Sequence, residues 1–436
     1  MAVRPVTAAV GTGWRRAGRL LRIGLPVTLA LLILAATIAA FASSRPAAAA
    51  RPVDWVTSWS ASPQTTKPGT LAAAGFDDQT LREIIFPSVG GDLVRLELTN
   101  VFGASVLRIG HVTVALAGSG ATVVPGTIHP VTFGGSLSIR IPAGGQVLSD
   151  PVRIRVAALQ DLAVSVYLPD RTGRATLHTA AQQVNWMSAA GDHAAEAGSA
   201  AFTASIPSWY YISGLLVRSP AAIGTVVALG DSITDGVGST SGGNGRWPND
   251  LARRLDALAG PTLAVADEGI GGNRVLTGSR CCGDSALTRF ARDVLDLRGV
   301  RDIIVLEGIN DIGDSAGSPS HAEISPAQMI AGYEQLIARA HARGVRIFGA
   351  TLPPFQGARY YTRAGETTRE AVNTWIRTSG AFDGVVDFDA ATRDPASPLR
   401  LDPAYDSGDH LHPNDAGYQA MADSVNLRML FPPPPR

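Results

Sequence analysis

Apolar and polar positions alternate along the first half of the chain and then stop alternating. Between residues 53 and 217 the period is two. The stretches 93–99, 111–116, 137–141, 151–156 and 161–168 each send every second side chain to one face, as half-buried strands do. Glycine- and proline-bearing turn material separates them at 90–92, 118–120, 134–135 and 142–145. Many short strands without a long helical period predict an antiparallel β-sandwich of jelly-roll type. After 219–224, which reads as a linker, short apolar runs at 225–229, 262–266, 302–306, 345–350 and 385–388 alternate with helical stretches at 248–258, 286–296, 326–343 and 363–379. A last helix is expected after Asn414-Asp415, residue types that cap helix starts. Strand–helix alternation predicts βαβ units and an α/β fold whose central parallel sheet is covered on both faces. The expected division is 1–50, 51–217 and 218–430.

A chain of 436 residues exceeds one ordinary core, in keeping with two domains. With 45% apolar and 17% charged residues its composition is globular. Basic and acidic residues balance at 37 each, but six Arg and no acid fall in the first 50 residues. The rest carries 31 basic against 37 acidic residues, a net of −6, and offers no field for nucleic-acid phosphates. Arg4, Arg15, Arg16, Arg19 and Arg22 precede an apolar stretch at 23–42 and then Ala48-Ala49-Ala50. That is the layout of a cleaved signal peptide, and Arg15-Arg16 leaves a twin-arginine route open. An uncleaved anchor is the alternative, since about 20 apolar residues can span a bilayer; Pro26, Thr28 and Thr37 weigh toward cleavage. The expected location is extracellular, with no stable membrane insertion. Adjacent Cys281 and Cys282 cannot staple distant segments; they form either a vicinal disulfide or two free thiols.

The strand-rich region holds Trp55, Trp59, Trp186, Trp209, Tyr210 and Tyr211. Core and interdomain packing accounts for such aromatics, and a stacking platform for polysaccharide is the alternative. His111, His129, His178 and His193 show no metal-ligand spacing, and no role follows for them.

The candidate chemistry lies downstream. Gly-Asp-Ser occurs at 230–232, 283–285 and 313–315, and 313–317 also matches a nucleophile-elbow pattern. Only Ser232 directly follows a buried strand and precedes a helix. Ser285 follows the cysteine pair in a loop, and Ser315 falls in a polar loop. Open α/β sheets place ligands at the carboxyl ends of their strands. A serine hydroxyl there needs a base and an orienting group. Asp409-His410-Leu411-His412-Pro413 offers both: Asp409 and His412 are three apart, so the carboxylate can reach the imidazole and set its tautomer. His410, next to Asp409, points elsewhere. An oxyanion needs donors; Asn310 follows the strand at 302–306, and the glycines of Gly269-Ile270-Gly271-Gly272-Asn273 follow the strand at 262–266.

These blocks resemble the GDSL/SGNH hydrolase family over about 225–425, where Ser, Gly, Asn and His stand in separate blocks. Gly230-Asp231-Ser232 is similar to the nucleophile block and Gly308-Ile309-Asn310-Asp311 to the Gly-x-Asn-Asp block. Asp409-His410-Leu411-His412 is similar to the Asp-x-x-His block, and Trp247-Pro248 to the first helix of the family. In the glycine block Gly272 matches best and Gly269 next; Asp267-Glu268 stands near the point where the family often has Asn. The resemblance implies a flavodoxin-like three-layer domain and a serine esterase acting on small-acyl, carbohydrate or lipid esters, without a cofactor. It implies Ser232, His412 and Asp409 as the triad, and Ser232, Gly272 and Asn310 as oxyanion donors. Two other readings remain: a metal hydrolase built on His410, His412 and Asp409 with Asp231 or Asp311, and a catalytically inactive surface- or carbohydrate-binding protein. Nucleotide binding fails on spacing, because Gly269-Ile-Gly271 needs glycine at 274 and Arg274 stands there. Substrate choice is expected in the loops 239–245, 277–283 and 313–321.

Overall fold

The computed structural model describes residues 54–279, 281–316 and 323–431. The signal peptide expected at 1–50 lies outside the described residues. Among those described, no helix is long and apolar enough to cross a membrane.

The alternating stretches form antiparallel sheets. One sheet runs in the order Val56–Ser60, Ile212–Val217, Gly91–Thr99 and Gln146–Leu148, with Val152–Val156 also paired to Gly91–Thr99. The other runs Phe202–Ile206, Asn185–Ala190, Gln79–Ile85, Leu162–Leu168, His111–Leu116 and His129–Pro130. Period-two patterning sends Val94, Leu96 and Leu98 of the first sheet and Leu81, Val112, Val114, Val164 and Val166 of the second into one hydrophobic cluster. Trp59, Trp209, Tyr210 and Tyr211 are buried in that cluster, Trp59 edge-on to Trp209 at 5.0 Å, whereas Trp55 and Trp186 are half-buried. The four buried rings are packing residues.

The second half forms a parallel sheet in the order Thr262–Gly269, Ala222–Gly230, Val300–Leu306, Arg346–Ala350 and Val385–Val386. In chain order this is 2-1-3-4-5, the doubly wound arrangement whose crevice opens between strands 1 and 3. Gly230 pairs with Gly269 on one side and Leu306 on the other, so the three carboxyl ends finish level. Val226, Val227, Ala228 and Leu229 are fully buried, as a strand covered on both faces requires.

Several boundaries differ from the periodicity. The central strand starts at Ala222 and pairs with Thr262, so half of the expected linker is sheet. The helix expected at 286–296 is an α-helical turn, Ala286–Phe290, followed by a π-helical one, Ala291–Leu295. The last run keeps only Val385–Val386 as strand, because Asp387 caps a helix, Phe388–Thr392, by accepting from the Ala390 N–H. Ser315, expected in a loop, is within the helix Ile309–Ala316. Part of the substrate loop expected at 313–321 is therefore helical, and its residues from 317 on lie outside the described ones.

Candidate active site

Gly230 ends the central strand where a side chain cannot fit: a Cβ there would lie 2.1 Å from Thr234 Oγ1 and 2.5 Å from the Leu306 carbonyl. The next residue, Asp231, caps a four-residue helix, Ser232–Asp235, by accepting from the Ile233 N–H at 2.9 Å. Strand end and cap together deliver Ser232 at the sheet edge. Asn310 arrives on the helix Ile309–Ala316, which leaves the neighbouring strand at Leu306. His412 comes from the turn before the helix Asp415–Ser424.

The groups meet in a continuous hydrogen-bond chain. Ser232 Oγ is 2.8 Å from His412 Nε2, and His412 Nδ1 is 2.6 Å from Asp409 Oδ2. A carboxylate only accepts, so Nδ1 carries the hydrogen and Nε2 is left as an acceptor for the serine hydroxyl. Asp409 Oδ1 accepts the backbone N–H of His412 at 2.9 Å and of Leu411 at 3.0 Å. Burial acts to raise the Asp409 pKa, but these N–H groups and the imidazole outweigh it and hold the carboxyl below its usual range.

Ser232, Gly272, Asn310, Asp409 and His412 line one pocket of about 410 Å³, together with Tyr360 and others. Asn310 Nδ2 donates to the Asn273 carbonyl at 3.0 Å, and the Tyr360 hydroxyl donates to Asn310 Oδ1 at 3.3 Å. The amide is thus oriented from both ends. Gly272 has φ +75°, and a Cβ on it would lie 2.6 Å from Cys282 Sγ; position and conformation both demand glycine. Cys281 and Cys282 are joined as a vicinal disulfide, and Asn273 Nδ2 donates to the Cys282 and Asp284 carbonyls at 2.8 Å each. Gly269 is instead the last residue of its strand, where a Cβ would lie 2.2 Å from the Asp235 backbone nitrogen.

His410 pairs with Asp406, Nδ1 to Oδ2 at 2.5 Å, so the two histidines of the Asp-x-x-His block take different partners. Among the described residues no group of three or more His, Cys, Asp or Glu is arranged to hold a metal ion.

Charges are buried beneath the serine. Arg289, fully buried, donates to the Gly230 and Glu268 carbonyls at 3.0 and 2.8 Å, to Asn273 Oδ1 at 3.0 Å and to Ser62 Oγ at 2.8 Å. Sequence reasoning missed it and also Ser62, Asp235, Tyr360 and His178. Arg289 and Asp293 do stand four apart on an expected helix, but that spacing signals a solvated pair as readily as a buried one.

Burial, with Asp311 and Asp235 nearby, pushes Asp231 up to about 7. Burial also brings Asp311 to about 6 and lifts Glu307 and Glu268 well above the carboxylate range. Each folded-state value exceeds the unfolded one, so the folded protein keeps protons that the unfolded chain releases. The associated stability is complete below the unfolded carboxylate pKa and is lost as pH rises through the folded values. Asp409 and Asp387, whose values are lowered, act only on the acid side of the ordinary carboxylate range. The unfolding midpoint is therefore expected to rise as pH is lowered from about 8 to about 5.5. A calorimetric midpoint that falls over that interval contradicts this account of the buried carboxyls.

The sheet order and the pocket at its crevice define an α/β protein of the doubly wound class. Residues 228–420 match the model of the GDSL-like Lipase/Acylhydrolase family, a family for which ester hydrolysis is the implied activity class. No curated protein matches the chain. Among solved structures, a GDSL-like lipase from Bacteroides thetaiotaomicron is similar at 17% identity and TM-score 0.36, over 48% of this chain and 88% of that one. An alpha/beta hydrolase enzyme from the metagenome of Lake Arreo, Spain, is similar at 21% identity and TM-score 0.38, over 48% of this chain and 95% of that one.

Proposed function

We propose that the protein is an exported serine esterase that hydrolyses carboxylic esters through an acyl-enzyme. The observation that carries this reading is the unbroken chain Ser232 Oγ, His412 Nε2, His412 Nδ1, Asp409 Oδ2, at 2.8 and 2.6 Å, opening into the pocket that Asn310 and Gly272 line. His412 takes the hydroxyl proton as Ser232 Oγ bonds to the ester carbonyl carbon. The carbonyl oxygen becomes an oxyanion facing the N–H groups of Ser232 and Gly272 and the Asn310 amide. Collapse breaks the bond to the alcohol oxygen, which leaves with the proton from His412. Water then repeats the sequence on the acyl-enzyme, and the carboxylic acid departs. Asp409 stabilises the imidazolium in both halves.

The antiparallel region is read as a β-sandwich packed on the esterase domain. Val237, Ala358, Tyr360 and Leu411 give the pocket an apolar wall, and Arg359, exposed, stands at the same pocket. This surface suits an ester with an apolar acyl chain.

The test is hydrolysis of aryl acetate, butyrate and octanoate by the mature protein, with and without a chelator. Turnover that survives the chelator and falls on acidification, because a protonated imidazole cannot take the serine proton, supports the serine mechanism. The chain-length ranking assigns the acyl group. Turnover abolished by the chelator, or unaltered by acid, overturns the mechanism.

A further inference from the structure

A second buried histidine–aspartate pair lies beside the first, and the acyl-transfer steps do not use it. His178 stands on the short antiparallel strand Leu177–His178 and is 3% exposed. Its Nδ1 is 3.0 Å from the Ser62 carbonyl oxygen and its Nε2 is 3.1 Å from Asp235 Oδ1. Each nitrogen faces an oxygen, and a ring with hydrogen on both sides donates to the Ser62 carbonyl through Nδ1 and to Asp235 through Nε2. Burial alone would push the His178 pKa down; the Asp235 charge and hydrogen bond and the Ser62 carbonyl reverse this and hold it above its ordinary value.

Asp235 is also the last residue of the helix that begins at Ser232. Its other oxygen, Oδ2, accepts the Gly271 N–H at 3.1 Å. Gly271 immediately precedes Gly272, which lines the pocket beside Ser232. One carboxylate therefore joins a side chain of the antiparallel region to the backbone of the glycine loop. A parallel route ends at the other oxyanion group. Ser62, whose carbonyl holds His178, accepts from Arg289 through its hydroxyl; Arg289 holds Asn273 Oδ1, and the Asn273 carbonyl holds the Asn310 amide.

We propose that His178 and Asp235 are positioning residues for the oxyanion site: the carboxylate, held by His178, fixes Gly271 and so aims the Gly272 N–H at the oxygen that becomes negative when Ser232 attacks. The antiparallel region thereby completes the active site of the esterase domain. This rests on the proposed roles of Ser232 and Gly272. Without His178, Asp235 is a buried carboxylate lacking its counter-charge. Such a group seeks other donors or takes up a proton, and either change loosens its grip on the Gly271 N–H.

The test compares H178A, D235A, D235N and the H178A/D235N pair in the full chain. It reads kcat, KM, inhibition by an alkyl boronic acid that mimics the tetrahedral state, and the unfolding midpoint. The amide introduced by D235N keeps an oxygen to accept from Gly271 and needs no counter-charge. The expected result is a loss on the order of 10²-fold in kcat for H178A and D235A, at the low end for removal of an oxyanion donor. KM stays within a few-fold, and boronate affinity falls in step with kcat. D235N keeps most of the rate, and in the double variant it restores much of what H178A lost. A residue with only a structural role lowers the midpoint without this split, and D235N then does no better than D235A. H178A at wild-type kcat and boronate affinity overturns the proposal. Should the alanine variants not fold, H178Q fills the space without the charge; about tenfold lower kcat is expected, and an unchanged kcat overturns the proposal. If Ser232→Ala is inactive while D235A is wild-type, the positioning role alone falls; if Ser232→Ala stays active, the esterase reading itself falls.

Discussion

Ser232→Ala is expected to abolish ester hydrolysis while leaving the unfolding midpoint nearly unchanged. In the proposed mechanism this hydroxyl is the atom that bonds to the acyl carbon, and it is the one His412 Nε2 faces. Ser285 is the alternative Gly-Asp-Ser serine whose side chain is described, and it is committed elsewhere: it caps the helix Ala286–Phe290 by accepting from the Thr288 N–H at 3.2 Å. The structural cost is small because Ser232 Oγ bonds His412 Nε2 in a pocket open to solvent, and alanine suits the first turn of a helix. Loss of one ordinary hydrogen bond costs about 1 kcal/mol, against many orders of magnitude in rate when a nucleophile is deleted. The check is steady-state hydrolysis of an aryl ester together with a melting curve. Residual turnover above the background of the buffer assigns the nucleophile elsewhere, and a collapse of the midpoint makes the loss uninformative.

Asn310→Ala is expected to lower kcat by about 10²–10³-fold, or about 2.7–4 kcal/mol, the usual result of removing one oxyanion donor. The amide has two hydrogens and one is engaged by the Asn273 carbonyl at 3.0 Å, which leaves the second for the oxyanion. Tyr360, donating to Oδ1, holds the amide with its nitrogen in place. In the proposed mechanism charge on the substrate oxygen develops only as Ser232 attacks, so the loss belongs in kcat and KM changes little. Alanine also leaves the Asn273 carbonyl without the amide, and that loop carries Gly272; the measured loss includes this second effect. A rate within a few-fold of wild type removes Asn310 from the oxyanion site. An increase in KM alone assigns it to substrate binding instead.

The chemistry read from the sequence is the part that depends on near neighbours in the chain. Asp409 and His412 are three residues apart, and a turn suffices to join carboxylate and imidazole whatever the rest of the molecule does. Ser232 and Asn310 each follow a short apolar run that reads as a buried strand. Parallel pairing then brings both to one edge without any further instruction. The glycine block is legible for a similar reason, because glycine takes a left-handed backbone angle such as that at 272 without steric cost. Element ends were less legible. Asp387 could continue a strand or cap a helix, and packing of Phe388 in the core decides for the cap. The π-helical turn at Ala291–Leu295 has no mark in the apolar pattern, because one five-residue turn is too short to show a change of period.

What the sequence determined by itself is therefore the α/β order, the β-rich region before it and the residues proposed as reacting groups, all written in periods and short spacings. Only the tertiary structure decided what holds those groups in place. His178 reaches Asp235 across 57 positions and Arg289 reaches Ser62 across 227. Neither pair has a period or a spacing, because the contacts exist only once the antiparallel sheet packs on the glycine loop. Burial then changes what the residues are: an arginine that reads as a surface charge becomes the hub of the loops around Ser232, and a histidine without visible partners becomes the hydrogen-bond partner of a buried aspartate. A one-dimensional pattern records which side chains are present, whereas desolvation and long-range hydrogen bonding, which set their charge and direction, arise from the folded chain.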